Sequence, residues 1–191
     1  MFEYEKKIML TEEEYNEILT AFGSGVDTIF QTNYYFDTED LSMDAHDVTC
    51  RIRGKDGKYK TTIKHHNSGE VERSVEEYIC ESFTFDPSPF KVLGLQYQGE
   101  LSTERKMLCR CKQYQVMLDK NTFLGCVDYE LEVEYLPGYS RKALNYICKI
   151  GMTLAETGLL NRADDLMKRI GQGQTKSKRF FEKLKNNKKK V

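Results

Sequence analysis

The residues best suited to chemistry in this chain are charged and spaced two apart. Glu3, Glu5 and Lys7 form one such set, Arg51 and Arg53 another; Lys64, then Glu70 and Glu72, and finally Glu130, Glu132 and Glu134 continue the pattern. In an extended strand successive side chains point to opposite faces, so each set shares one face. Like charges held side by side destabilise a strand unless opposite charges or metal ions intervene. On a single strand the alternation would read as a solvated face with surface ion pairs. Repeated over five strands, it reads as charged faces converging on one interior. Arginine forks grip phosphate oxygens bidentately and lysine adds a point charge. Paired carboxylates are the hard oxygen ligands preferred by Mg²⁺ or Mn²⁺. Such an interior would hold a highly charged linear anion with its divalent ions.

Other reactive side chains carry less. His65 and His66 are adjacent, so on a strand they face opposite sides and do not form a ligand pair. Cys109 and Cys111 share a face, but with Met107 beside them they read as packing residues. Tyr34 and Tyr35 read as core and rim residues rather than base-stacking platforms. The six cysteines show no CxxC pair and neither a zinc nor a secreted disulfide spacing, so they are expected to be free thiols.

The elements that must position the charges follow from periodicity. Strands are expected over Phe2 to Leu10, Thr28 to Asp37, Val48 to Arg53, Tyr59 to Lys64 across an Asp56-Gly57 hairpin turn, and Glu70 to Glu76. Three more follow at Leu101 to Cys111, Gln113 to Leu118 and Val127 to Tyr135. Thr11 with Glu14 is a capping box opening a helix with Tyr15, Ile18, Leu19 and Phe22 on one stripe. Phe83 to Gly99 contains all but one of the prolines and reads as a loop with a short helix around Lys91 to Leu95. Ser140 is the expected cap of a further helix, and helical patterns recur over Asn161 to Ile170 and Thr175 to Leu184. The fold class expected is α+β, mainly β: a closed eight-stranded antiparallel β-barrel, a tunnel with helices packed outside.

At 191 residues, 39% hydrophobic and 31% charged, the chain has the composition of one ordered domain, residues 1–191. No apolar run is long enough to span a membrane and no secretory signal opens the chain, so a cytoplasmic location is expected. The net charge of −1 conceals a basic end: residues 175–191 carry eight Lys and Arg against Glu182. That end reads as a solvated helix and frayed tail, with nucleic acid or anionic lipid the sharper alternative.

In order along the chain, Glu3-Tyr4-Glu5-Lys6-Lys7, the run Gln31 to Thr38, Arg51-Ile52-Arg53, Thr62-Ile63-Lys64, Leu101 to Arg105, Leu118-Asp119 and Asp128 to Glu134 resemble the CYTH superfamily, the triphosphate tunnel metalloenzymes. The resemblance implies an eight-stranded tunnel acting on a triphosphate with Mg²⁺ or Mn²⁺. It implies that Glu3, Glu5, Glu130 and Glu132 bind metal, joined by a fifth-strand glutamate: Glu72, with Glu70 and Glu76 as the other registers. Lys7, Arg51, Arg53, Lys64 and Arg105 would bind phosphate, together with a closing C-terminal base, Lys178 in preference to Lys176. Lys7, Arg53 and Asp119 would serve catalysis. The activity implied is hydrolysis of tripolyphosphate ahead of thiamine triphosphate. The alternatives are a class IV-type adenylyl cyclase and a non-catalytic polyphosphate-binding module, the last disfavoured by the four metal carboxylates. The expected partner is the small-molecule triphosphate; a homodimer is allowed for, a membrane and nucleic acid are not.

Overall fold

The computed structural model describes residues 4–67 and 73–189, with the side chains of residues 67 and 73–76 outside the description. Its strands are β1 (Tyr4–Leu10), β2 (Thr28–Asp37), β3 (Val48–Lys55), β4 (Lys58–Asn67), β5 (Arg73–Ser82), β6 (Gln96–Arg110), β7 (Tyr114–Phe123) and β8 (Cys126–Tyr135). The helices among the described residues are α1 (Glu12–Phe22), α2 (Ser42–Ala45), α3 (Ser88–Val92), α4 (Ser140–Glu156), α5 (Asp164–Lys168) and α6 (Lys176–Lys188). The strands form one eight-stranded sheet in the order β1-β8-β7-β6-β2-β3-β4-β5. Contacts divide the chain into two compact units. The first comprises Met1–Ile29, Glu104–Asn121 and Val127–Gln174, the second Phe30–Thr103, Thr122–Cys126 and Thr175–Val191.

In the first unit, α1 starts where its capping box predicts: Glu14 N–H donates to Thr11 Oγ1 and Thr11 N–H to Glu14 Oε2. Tyr15 and Ile18 then turn inward, and with Ile147, Ile150 and Leu154 of α4 they cover Ile8, Leu118, Leu131 and Val133 of the strands. Each such aliphatic side chain contributes about 1.5–3 kcal/mol when fully buried. Ser140 is not the cap of α4; Tyr139 occupies that position without a side-chain cap bond.

β1 ends the sheet, and its outer carbonyls are taken by something other than a strand. Gly171 N–H donates to Lys7 O at 3.1 Å, and Arg169 Nη2 donates to Met9 O at 2.8 Å. Arg169 is itself held by both oxygens of buried Glu14. Unpaired strand edges invite misassociation, and this loop covers the edge locally. The expected strand-to-strand closure of a barrel is therefore not among the described pairings; β1 and β5 are the two ends of the sheet order.

In the second unit, the Asp56-Gly57 turn joins β3 to β4 with both residues at positive φ (51° and 73°), the twist a tight hairpin requires. One face of β2 and β3 buries Phe36, Cys50 and Ile52 under Phe90 of α3 and Leu95. A cavity of about 530 Å³ lies beside it, lined by Tyr34, Phe36, Phe85 and Tyr97 among others, and contains none of the predicted site residues. The expected loop of residues 83–99 is shorter than predicted, because β6 begins at Gln96 and α3 lies earlier than Lys91 to Leu95.

The opposite face carries the larger correction. Phe180 and Phe181 of α6 are buried against Tyr35, Leu101 and Phe123, with ring centroids 4.8 Å apart for Tyr35 and Phe180. The basic C-terminal segment is thus not merely a solvated end. Tyr35 stands opposite Arg51 in the ladder, so α6 packs on the strand face that carries Arg51.

Candidate functional site

The register of β1 against β8 sets Glu5 opposite Glu134, Lys7 opposite Glu132 and Met9 opposite Glu130. Directly paired residues share a face, so the charges that sequence spacing put on separate strands do stand together. Lys7 Nζ reaches Glu5 at 2.8 Å. Arg105, from β6, fastens the neighbouring carboxylates: its Nε donates to Asp119 Oδ1 at 2.8 Å and its Nη2 to Asp119 Oδ2 at 2.7 Å. The same Nη2 donates to Glu132 Oε1 at 2.9 Å, while Nη1 meets Met117 Sδ. Burial works against the charged guanidinium, but Glu132 and Asp119 outweigh it and hold its pKa above the ordinary arginine value. In Arg105, expected to bind phosphate, each of the terminal nitrogens is engaged within the protein here.

Asp119, Glu130 and Glu132 each offer an oxygen within 4.8 Å of the others, and all three residues are buried. Hard oxygens converging from β7 and β8 are the donor set that Mg²⁺ or Mn²⁺ takes, and closely spaced carboxylates are stabilised by a cation between them. The residues present therefore fit a divalent ion. Asn121, buried two residues beyond Asp119 on the same strand, donates from Nδ2 to Asp128 at 2.9 Å.

In the second unit the basic residues line one strand face. Asn33 stands opposite Arg53 and Tyr35 opposite Arg51. Across β3 and β4, Arg53 pairs with Lys60, Arg51 with Thr62 and Thr49 with Lys64. Arg53 Nε donates to Asn33 Oδ1 at 2.9 Å, and Arg51 Nε reaches Thr62 Oγ1 at 3.4 Å. Burial pushes the Tyr35 hydroxyl pKa up, against the pull of Arg51, Arg53, Lys176 and Arg179. Those four charges therefore all act on one buried hydroxyl.

The candidate C-terminal bases lie at the start of α6. Thr175 caps α6 through Lys178 N–H, and the helix then turns Phe180 into the core. Lys176 and Arg179 lie on the flank whose charges act on Tyr35, whereas Lys178 Nζ points to Asp47 at 3.5 Å. Residues i and i+3 of a helix are surface neighbours, and i+2 is not. Sequence reading also missed Asn33 and the chain in which Thr49 Oγ1 contacts His66 Nε2 at 3.1 Å and Ser177 Oγ at 3.0 Å. Neutral polar residues give no charge signal, and only their place on a charged face could have drawn attention to them. His65 lies instead 3.6 Å from Glu77. Of the fifth-strand glutamates, Glu76 stands opposite Lys64 in the β4–β5 ladder. Glu3, Glu70 and Glu72 lie outside the described residues.

A sheet of this order, with an acidic face on β1, β7 and β8 and a basic face on β3 and β4, is the architecture of one known class of protein. The chain belongs to the CYTH domain family, whose profile matches residues 1–135. It is 30% identical over 146 residues to YjbK of Bacillus subtilis (strain 168), named a candidate triphosphatase, covering 69% of this chain and 76% of that one. A Bacillus halodurans structure described as a candidate adenylate cyclase superposes with a TM-score of 0.58 at 22% identity, over 78% of this chain and 90% of that chain. HpAC1 from Hippeastrum, described as a candidate adenylyl cyclase with dominant triphosphatase activity, also reaches 0.58, at 18% identity over 78% and 88%. At those identities the two structures establish a shared fold. No helix among the described residues is long and apolar enough to cross a membrane.

Proposed function

We propose that this protein is a metal-dependent hydrolase of a linear triphosphate, tripolyphosphate ahead of thiamine triphosphate, bound by the charged strand faces described above. The observation that carries this reading is the convergence of three buried carboxylates, Asp119, Glu130 and Glu132, within 4.8 Å on a chain of this family. Those three would hold Mg²⁺ or Mn²⁺, with Glu5 and Glu3 of the first strand and a fifth-strand glutamate, Glu72 with Glu70 and Glu76 as the other registers, as further carboxylates. The ion would supply Lewis-acid neutralisation of phosphoryl oxygens as charge shifts in the transition state.

The remaining work falls to the chain's own side chains. Arg51 and Arg53 grip phosphate oxygens as forks, Lys7 and Lys64 add point charges, and Lys176 with Arg179 completes the basic wall in place of Lys178. Arg105 holds Asp119 and Glu132 in register, so it is a positioning residue. A substrate held straight by these contacts exposes its terminal phosphorus to in-line attack by water, and the products are orthophosphate and a diphosphate. The aromatic residues nearest the basic face are spent on packing, with Tyr35 against Phe180, which supports a substrate with little organic part. The six thiols are free, in keeping with a reducing, cytoplasmic setting.

Tripolyphosphate, thiamine triphosphate and ATP, each assayed with Mg²⁺ and with Mn²⁺ for both orthophosphate and cyclic AMP, test the proposal. Metal-stimulated orthophosphate release from tripolyphosphate is the expected result. Cyclic AMP and pyrophosphate from ATP would instead assign a cyclase. Tight binding with no turnover would assign a non-catalytic module.

A further inference from the structure

Asn33 lies mid-strand in β2, opposite Arg53, and is fully buried. Its Oδ1 accepts from Arg53 Nε at 2.9 Å. That bond fixes which way the amide points, because the flipped amide would set its N–H groups against the guanidinium donor. The Nδ2 group is left with no hydrogen-bond partner among the described residues. Buried amide N–H groups are satisfied in nearly all native proteins, and an orphan in a folded core is destabilising. Buried Asn121 shows the ordinary outcome, its Nδ2 spent on Asp128.

The surroundings of Asn33 say what the orphan donor would meet. Its strand face carries Arg51 and Arg53, with Lys60 and Lys64 across the ladder. A ligand admitted there is anionic and rich in acceptors. We infer that Asn33 is a substrate-binding residue: its Nδ2 donates to an ionised phosphoryl oxygen beside the one held by Arg53. This rests on the triphosphate reading and adds to it a neutral donor, which grips the substrate at every pH without adding positive charge. Arg53 and Asn33 then act as one unit, the arginine aligning the amide and the amide anchoring the arginine.

The test uses the full chain. Asn33→Asp keeps an acceptor for Arg53 and deletes the donor; Asn33→Leu deletes both. Loss of a hydrogen bond to a charged group predicts that kcat/KM for tripolyphosphate with Mg²⁺ falls by about ten- to hundredfold in each. The melting temperature of Asn33→Asp without ligand should hold or rise, because Arg53 gains an ionic partner; a merely structural asparagine would lose stability in Asn33→Leu and leave kcat/KM alone in Asn33→Asp. On the unsubstituted protein, the ¹⁵N-labelled Asn33 side-chain amide signals should move downfield as tripolyphosphate is added without metal, a readout that decides the matter even where a variant does not fold. Amide signals that stay still at saturation, or Asn33→Asp within threefold of the parent, would overturn the inference. If Arg53→Ala removes turnover while Asn33→Asp does not, the inference alone fails. If the folded parent neither binds nor cleaves tripolyphosphate, the triphosphate reading fails and carries the inference with it.

Discussion

Arg105→Met should be the most damaging single exchange on the acidic face. The arginine side chain is 13% exposed, and the two carboxylates it holds, Asp119 and Glu132, are 0% and 6% exposed. Methionine fills much of the same volume but leaves both acids without the guanidinium. Removing one partner from a buried ion pair costs about 3–5 kcal/mol, most of it from stranding the remaining charge. With an unfolding entropy of about 2.1 cal/mol/K per residue, 191 residues give about 0.4 kcal/mol/K, so the melting temperature should fall by about 8–12 °C. Arg105→Lys retains a charge but cannot span both carboxylates as a fork, and its loss should be intermediate. Thermal unfolding followed by circular dichroism, with metal-free protein at neutral pH, reads the difference directly. If Arg105→Met melts within about 2 °C of the parent, the guanidinium is not the tie that holds these acids and its assignment as a positioning residue is wrong.

Four further outcomes follow from the same geometry. Glu132→Gln should lower metal-stimulated triphosphate turnover by about 10²–10³-fold, and a variant keeping a tenth of the parent rate would remove Glu132 from the metal set. Lys176→Ala and Arg179→Ala should raise KM severalfold, whereas Lys178→Ala, whose ion pair with Asp47 is exposed, should change neither KM nor stability beyond about 1 kcal/mol; steady-state kinetics of the three decide which base closes on substrate. Phe180→Ala should lose about 3–5 kcal/mol of stability, measurable by urea unfolding, because its ring is fully buried among Tyr35, Phe123 and Phe181. Burial, with Asp37 adding to it, pushes the Cys50 thiol up to about 12, so at pH 8 a disulfide reagent should label exposed Cys148 and leave Cys50 untouched until the protein is denatured.

What the sequence disclosed was whatever is local. Alternation at period two marked the charged faces because strand geometry alone decides them, and Thr11 with Glu14 marked the start of α1 because a capping box spans four residues. The Asp56-Gly57 turn was legible for the same reason. Pairings between strands were not: Arg105 meets Asp119 and Glu132, 14 and 27 residues away, only through the register of β6, β7 and β8. An isolated arginine on a charged strand looks equally apt for phosphate. The choice between Lys176 and Lys178 depended on which way Phe180 turns α6, a matter of tertiary packing. Closure of the sheet was inferred from charged faces converging on one interior, yet the outer carbonyls of β1 are taken by Arg169 and Gly171, two residues whose sequence context gives no sign of it.

The seating of α6 on Tyr35 and Leu101 also has a consequence for how the polypeptide matures. Tyr35 and Leu101 are synthesised early, whereas the aromatic rings that shield them come from Phe180 and Phe181. A ribosome working at about 5–20 residues per second needs roughly 4–15 s to make the intervening chain. During that interval the nascent sheet leaves a sticky aromatic flank uncovered, so chaperone dependence should centre there and ease once the closing helix emerges.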